Sequence, residues 1–410
     1  MAGGNGQKKV LLLSCNTGEG HNAAARAVIA QLEALGTQGV LMDALSFAPP
    51  GVSQLVGGVH RSVYRSMPAL FGAGYAHTEQ RARRGASAPY RLSALYAPKL
   101  FRCIRQGGFD AVAAPHVFPA VALTWLRRQS AYAGAMRALP CYFIDTDYTC
   151  SPFVDETALD GYCIPHASLA DEFVKKGIPA EKLLPTGIPV QPDFAARTPR
   201  YAARAALSLP QQGRVLLLMS GSMGAGGAEQ AAAALAPRLG PRDRLICLCG
   251  NNRSLLRALR CAHGCDPRVL VLPYTDRVGL LMDAADLLLT KPGGLTVTEA
   301  AAKGLPLVLT DAVGGCEARN AAFFAGQGMA AVAHDSADAA RLAYALLDDG
   351  DARAAMAAHS GARLSPSRAA CRRGDARSRA PALAGALLSL SAFASAPSAA
   401  PLTRTPGSGR

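Results

Sequence analysis

The sequence predicts an α/β chain built from two doubly wound, Rossmann-like domains that face each other across a cleft. Three observations carry that expectation. Short, continuously apolar runs alternate with stretches of helical period, the pattern of parallel strands covered on both faces. The series begins twice, each time as strand, glycine-rich turn and helix. A Pro-punctuated stretch, Thr186-Gly187-Ile188-Pro189-Val190-Gln191-Pro192, separates the two series and reads as a linker.

In the first series, residues 9–14 form a continuous apolar strand. They run into Asn16-Thr17-Gly18-Glu19-Gly20-His21 and then Ala24, Val28, Leu32 and Leu35 at helical spacing. Further strands are expected at 40–42, ending in Asp43, and at 111–114 and 141–144. In the second, 214–219 is a strand, Gly221-Ser222-Met223-Gly224-Ala225-Gly226-Gly227 a glycine loop and 228–239 a helix. Strands at 244–248, 269–272, 287–289 and 307–309 follow. The expected boundaries are 1–186 for an N-terminal domain, 187–212 for the linker and 213–362 for a C-terminal domain. Residues 363–410 turn to Ala, Ser, Pro and Arg without sustained period, and are expected to form a basic, low-complexity, disordered tail.

At 410 residues, half of them hydrophobic and 18% charged, the chain is long enough for ordinary cores. No run reaches the roughly 20 apolar residues of a membrane-spanning helix. The apolar start near Val10 is too short for a signal-peptide core, so a cytoplasmic protein is expected. Eleven cysteines, an odd number with no Cys-x-x-Cys, read as free and mostly buried thiols. Cys261, His263 and Cys265 lack a fourth ligand, so no metal is expected. The formal charge of +14 sits in two places: residues 61–105 carry nine Lys or Arg against one acid, and 363–410 carry eight Arg against one acid. No nucleic-acid motif accompanies either segment, so nucleic acid is not an expected partner. An anionic membrane surface fits the internal patch, with Arg81, Arg83 and Arg84 at its centre.

Gly18-x-Gly20-x-x-Ala23 with Asp43 beyond it satisfies the loose dinucleotide fingerprint, which makes NAD an alternative. Against it, His21 puts an ionisable ring where a pyrophosphate would approach. A neutral imidazole at a helix N-terminus facing a cleft can accept a proton from a hydroxyl. The richest stretch is Lys291-Pro292-Gly293-Gly294-Leu295-Thr296-Val297-Thr298-Glu299-Ala300-Ala301-Ala302-Lys303-Gly304-Leu305-Pro306. Its paired glycines leave amides open at a helix start, which suits phosphate, and Glu299 one turn later can accept two hydrogen bonds from a ribose diol. The loop at Gly221 to Gly227 offers a second set of amides to the same diphosphate.

Those residues carry a resemblance. The 291–306 stretch, with Gly314-Gly315-Cys316-Glu317-Ala318-Arg319-Asn320, resembles the donor-binding half of family 28 glycosyltransferases. Thr17-Gly18-Glu19-Gly20-His21 with Phe143-Ile144-Asp145-Thr146-Asp147 is similar to the N-terminal half of the monogalactosyldiacylglycerol synthases and the processive diacylglycerol β-glucosyltransferases. The likeness runs from about residue 9 to about residue 349. It implies the GT-B fold, a UDP-glucose or UDP-galactose donor as co-substrate, no metal or other cofactor, and an inverting hexosyl transfer to diacylglycerol. The enzyme would then sit at the inner face of the cell membrane as a peripheral protein. It further implies that His21 and Asp147 are the catalytic pair, either of which could be the base, with Gly18 and Gly20 on the acceptor side. On the donor side, Gly221, Ser222, Met223 and Gly224 match a diphosphate loop, in which Met223 replaces a His of some relatives. Lys291, Gly293, Gly294, Leu295 and Thr296 match the phosphate loop, and Glu299 the ribose acid. Tyr274 and Thr275 match the uracil segment, and Cys316, Glu317 and Asn320 the hexose contacts, where Cys316 replaces a common Gln. An N-acetylglucosaminyltransferase acting on a lipid-linked peptidoglycan precursor, a UDP-sugar 2-epimerase and a non-catalytic UDP-sugar sensor are the alternatives.

Overall fold

The computed structural model describes residues 8–15, 19–51, 58, 87–221, 227–310 and 314–363. The first half runs β1 (Lys9–Ser14), α1 (Glu19–Ala34), β2 (Gln38–Asp43), α2 (Ala88–Gly107), β3 (Ala111–Ala114), α3 (Val117–Arg128), α4 (Ser130–Ala138), β4 (Cys141–Ile144), β5 (Gly161–Ile164), α5 (Ala170–Lys175) and β6 (Leu183–Pro185). Two short helices follow, α6 (Pro192–Ala195) and α7 (Arg200–Ala206). The second half runs β7 (Val215–Met219), α8 (Ala228–Leu235), β8 (Arg244–Leu248), α9 (Arg253–His263), β9 (Val269–Leu272), α10 (Val278–Ala284), β10 (Leu287–Thr290) and α11 (Gly294–Lys303). It ends with β11 (Leu307–Leu309), α12 (Cys316–Gly326), β12 (Ala331–Val332), α13 (Ser336–Asp348) and α14 (Gly350–Arg363).

Each half builds one six-stranded sheet, ordered β2-β1-β3-β4-β5-β6 and β12-β11-β10-β7-β8-β9, with every pairing parallel. These are two Rossmann-like α/β units, as the repeated series predicts. The central strands are buried on both faces because their middle residues are apolar in unbroken runs: Leu11, Leu12 and Leu13 are fully buried in β1, and Leu287, Leu288 and Leu289 in β10. Chain order reverses at β1 in one sheet and at β7 in the other. The C-terminal edges beside those strands are therefore where a ligand crevice forms.

Three strands escape the sequence pattern. β5 starts at Gly161, where a Cβ would lie 2.8 Å from the Tyr142 ring; the strand needs a glycine that propensity penalises. β6 ends in Pro185 at a sheet edge, and β12 is only two residues long. The helix expected over 228–239 stops at Leu235, and Pro237 lies in a 3₁₀ turn after it. The stretch read as linker is partly helical and is stapled to the second half. Phe194 and Ala203 enter that core, and the nearly buried Lys303–Asp283 pair reaches it through the Ala196 carbonyl and the Thr198 amide. Asp43, the candidate ribose acid of the NAD reading, instead accepts from the Leu45 amide and caps a 3₁₀ turn.

Among the described residues no helix is long and apolar enough to cross a membrane, and ten cysteines are free, six of them buried. The tail expectation falls almost wholly outside the described residues. The expectations at Gly18, Ser222, Met223, Gly224, Arg81, Arg83 and Arg84 fall entirely outside them.

Candidate active site between the two sheets

The C-terminal edge of the first sheet gathers three loops. His21 stands in the first turns of α1, Pro115 follows β3, and Asp145 to Tyr148 follow β4. His21 Nδ1 lies 2.9 Å from the Pro115 carbonyl oxygen and 3.0 Å from Thr146 Oγ1. A carbonyl can only accept, so Nδ1 carries the proton and Nε2 keeps its lone pair. Burial lowers the His21 pKa below its ordinary 6.5, while the Asp147 charge and the Pro115 carbonyl pull the other way. The ring of His116 meets it edge-on at 4.6 Å.

Asp145 is fully buried, accepts from the Ser151 hydroxyl at 2.7 Å and from the Ser151 and Asp147 amides, and so folds the loop that presents Asp147. Burial first, and the Asp147 charge second, push its pKa up to about 7.

That loop is pressed against the second half. Tyr148 stacks on Phe323 with ring centroids 4.5 Å apart and meets Phe324 edge-on. Its hydroxyl is 2.8 Å from Thr298 Oγ1; the Thr298 hydroxyl donates to the Gly294 carbonyl, so Tyr148 donates to Thr298. Beside it, Asn320 is wholly buried and bonds to Asp147, Pro292 and the Tyr148 amide.

Between the halves lies a cavity of about 540 Å³. Leu295, Thr296 and Glu299 of α11 line it together with Tyr274 and Thr275 after β9, Gly221 after β7, and Gly20 and Arg26 of α1. A Cβ on Gly20 would rest in ordinary van der Waals contact with Leu295, at 3.9 Å. Gly221 adopts φ +70°, and a Cβ there would strike Lys291 Cε at 2.7 Å. Lys291 and Glu317 pair at 2.8 Å, both mostly buried. Cys316 opens α12 and is half-buried, after Gly315 at φ +63°. Burial alone pushes the Glu299 pKa up to about 8. Ribose hydroxyls donating to that carboxylate would replace the water it has lost.

The structure thus brings Gly20, Gly221, Tyr274, Thr275, Leu295, Thr296 and Glu299 to one cavity. His21, Asp147, Gly293, Gly294, Lys291, Cys316 and Glu317 stand on the loops and helix starts beside it. Asn320, expected at the hexose, has its amide already committed. Sequence reading missed two residues. Tyr148 directly follows the Phe143–Asp147 motif and belongs to no motif itself. Arg26, paired with Glu19 at 3.0 Å, is the one cation lining the cavity among the described residues, against the carboxylates of Glu19, Asp193, Asp276 and Glu299. Its signal was positional: it lies one to two turns beyond His21 on the same helix.

Comparison with known proteins gives one match in each half of the chain. Residues 21–190 fit the family model for monogalactosyldiacylglycerol (MGDG) synthase, and residues 212–361 that for glycosyl transferases group 1. The chain has the GT-B fold, and its two halves match two glycosyltransferase family models in succession. This glycosyltransferase is 27% identical over 346 residues to the processive diacylglycerol beta-glucosyltransferase of Bacillus subtilis (strain 168), covering 80% of the present chain and 84% of the relative. It is 25% identical over 341 residues to the protein of the same name from Bacillus pumilus (strain SAFR-032), with the same coverage. Among solved structures, Acinetobacter baumannii MurG superposes with a TM-score of 0.55 at 18% identity, covering 86% of this chain and 94% of that one. Anabaena Alr3699/HepE in complex with UDP-glucose gives 0.52 at 17%, covering 87% and 94%. A putative UDP-N-acetylglucosamine 2-epimerase from Listeria monocytogenes gives 0.56 at 12%, covering 87% and 91%. At these identities the structural likeness carries the fold of the glycosyltransferase and nothing finer.

Proposed function

We propose that the chain moves a hexose, with inversion, from UDP-glucose or UDP-galactose to a hydroxyl of diacylglycerol, working at an anionic membrane surface on the cytoplasmic side and without a metal ion. The observation that carries the reading is the meeting of His21 and Asp147 with the N-terminus of α11, beside a cavity that holds Glu299. The matched family models and the names of the relatives support the class of acceptor.

The donor lies with its base at Tyr274 and Thr275 and its ribose on Glu299. Its diphosphate lies at the first-turn amides of α11, Gly294 to Thr296, where the helix dipole favours negative charge. Arg26 leaves Glu19 for the same diphosphate, since an exposed pair of this kind is worth only about 0–1 kcal/mol. His21 Nε2 takes the proton of the acceptor hydroxyl as its oxygen bonds to the anomeric carbon. The bond from that carbon to the diphosphate oxygen breaks on the opposite face, and UDP leaves with the electron pair. Asp147 stabilises the imidazolium so formed. Amides and the helix dipole hold the leaving charge, the part a metal plays elsewhere.

On the acceptor side, α2 offers Leu92 at 55% and Leu95 at 60% exposure beside the exposed Arg91, Lys99 and Arg102. Leucines that dip into lipid and cations that meet anionic headgroups suit a peripheral hold on the membrane. Mass spectrometry of lipid extracted from diacylglycerol vesicles incubated with enzyme and each UDP-sugar tests the proposal. A β-hexosyl diacylglycerol, formed equally well with chelator present, is expected. Conversion of free UDP-sugar without any lipid product would replace the reading with an epimerase.

A further inference from the structure

Asn320 sits on α12 of the second half, yet two of its three hydrogen bonds reach a loop of the first. Nδ2 donates to Asp147 Oδ1 at 2.8 Å and to the Pro292 carbonyl at 2.9 Å, and Oδ1 accepts from the Tyr148 amide at 2.6 Å. The Pro292 oxygen can only accept and the Tyr148 N–H can only donate, so the orientation of the side-chain amide is fixed by its surroundings. Both amide protons are committed, and the side chain has no exposed surface. A donor hexose therefore meets no free hydrogen-bonding proton on Asn320.

Asp147 depends on that contact. No other side chain among the described residues donates to its carboxylate, and the loop beneath is folded around Asp145, whose charge would repel it. Its Oδ1 also lies against the start of α11, 3.1 Å from where a Cβ on Gly294 would be. Both contacts on the Asp147 carboxylate thus come from the second half of the chain, while His21, whose basicity its charge raises, belongs to the first.

We propose that Asn320 is a positioning residue for Asp147: its amide, supplied by the donor-binding half, aims the carboxylate only when the two halves are together. The His21–Asp147 pair is then complete only in the closed enzyme, which keeps the base from acting before the donor half is in place. The inference rests on the glycosyl-transfer reading above and assigns Asn320 to the proton-accepting side of the site rather than to the sugar.

The test compares wild type, Asn320→Asp, Asn320→Ala, Asp147→Ala and the Asn320→Ala/Asp147→Ala double variant in transfer to diacylglycerol vesicles. Asn320→Asp keeps the shape and can still accept from Tyr148, but it donates to neither partner. Loss of kcat by about 10- to 100-fold with donor KM within about twofold of wild type is expected for both Asn320 variants, from a charge-assisted hydrogen bond of about 1.5–3 kcal/mol. The double variant should be no slower than Asp147→Ala alone. Calorimetric UDP binding equal to wild type shows that the variants are folded. A raised donor KM, a changed preference between UDP-glucose and UDP-galactose, or multiplying losses in the double variant would return Asn320 to the hexose and overturn the proposal. If wild type transfers nothing, the glycosyl-transfer reading fails on its own. The contact is then read from melting temperatures of the same set: non-additive losses uphold the Asn320–Asp147 coupling, and additive ones reject it.

Discussion

A Cβ on Gly294 would lie 2.0 Å from the Thr146 carbonyl oxygen. The first residue of α11 and the loop after β4 belong to different sheets, and their contact leaves no space for the smallest side chain. It holds Asp147 against the helix start that is to receive a diphosphate, so it couples donor site and catalytic loop through packing alone.

Gly294→Ala should separate these surfaces. Overpacking of this kind costs about 1–3 kcal/mol, which here falls on the contact between the halves rather than on either core. Transfer is expected to drop at least tenfold while the far-UV spectrum stays that of wild type. Unchanged activity would show that Thr146 and Gly294 need not touch during turnover.

Arg26 faces four cavity carboxylates without another cation among the described lining residues. Arg26→Ala should raise the donor KM about 10- to 100-fold, the loss of one charge-assisted hydrogen bond, with a smaller change in kcat. Glu19→Gln frees the guanidinium and should lower the KM, by no more than about fivefold, because an exposed pair holds only about 0–1 kcal/mol. Steady-state kinetics over UDP-sugar concentration reads both. A KM unmoved by either change would remove Arg26 from the donor site.

Glu299 binds its proton more tightly in the folded protein, with a pKa near 8 against an ordinary 4.5. Between those values the unfolded chain holds fewer protons than the folded one, so stability falls as pH rises through that window. Asp145, raised from 3.8 to about 7, adds a slope of the same sign that ends earlier. Glu299→Gln has no charge to bury. Its melting temperature should fall less than that of wild type from pH 5 to 8 and exceed it at pH 8 by a few degrees. Parallel pH profiles would contradict the burial of Glu299.

His21 must be neutral to accept a proton, and burial keeps its pKa below 6.5 despite Asp147. The acid limb of kcat that His21 sets should therefore lie below pH 6.5. A midpoint above 6.5 would mean that the Asp147 charge outweighs burial, or that another group is titrating.

Much of the fold was legible because buried parallel strands leave continuous apolar runs: β1, β3, β4, β8, β9 and β11 lie where the sequence places them. β5 and β6 were not, since Gly161 and Pro185 answer to neighbours in space rather than to strand propensity. In the site, Gly293-Gly294 and Glu299 could be read locally, because a helix start with open amides is a short-range pattern. Tyr148 and Arg26 could not, and Asn320 entered only through the resemblance, as a hexose contact. The contacts of Asn320 and Tyr148 cross between the two sheets, at sequence separations of 173 and 150 residues, and no local period records them. Arg26 lies among helix residues whose spacing marks only the buried face.

The central claim is that His21, at the meeting of the two halves, is the base of a lipid glycosyltransferase. It is tested most directly by measuring labelled hexose transferred from UDP-glucose or UDP-galactose into diacylglycerol vesicles by wild type and by His21→Ala. Glycolipid from wild type, with a 100- to 10,000-fold slower rate in the variant, roughly the span of general-base catalysis, and unchanged UDP binding is the predicted result. Equal rates from the two proteins, or binding of UDP with no labelled lipid from wild type, would contradict it.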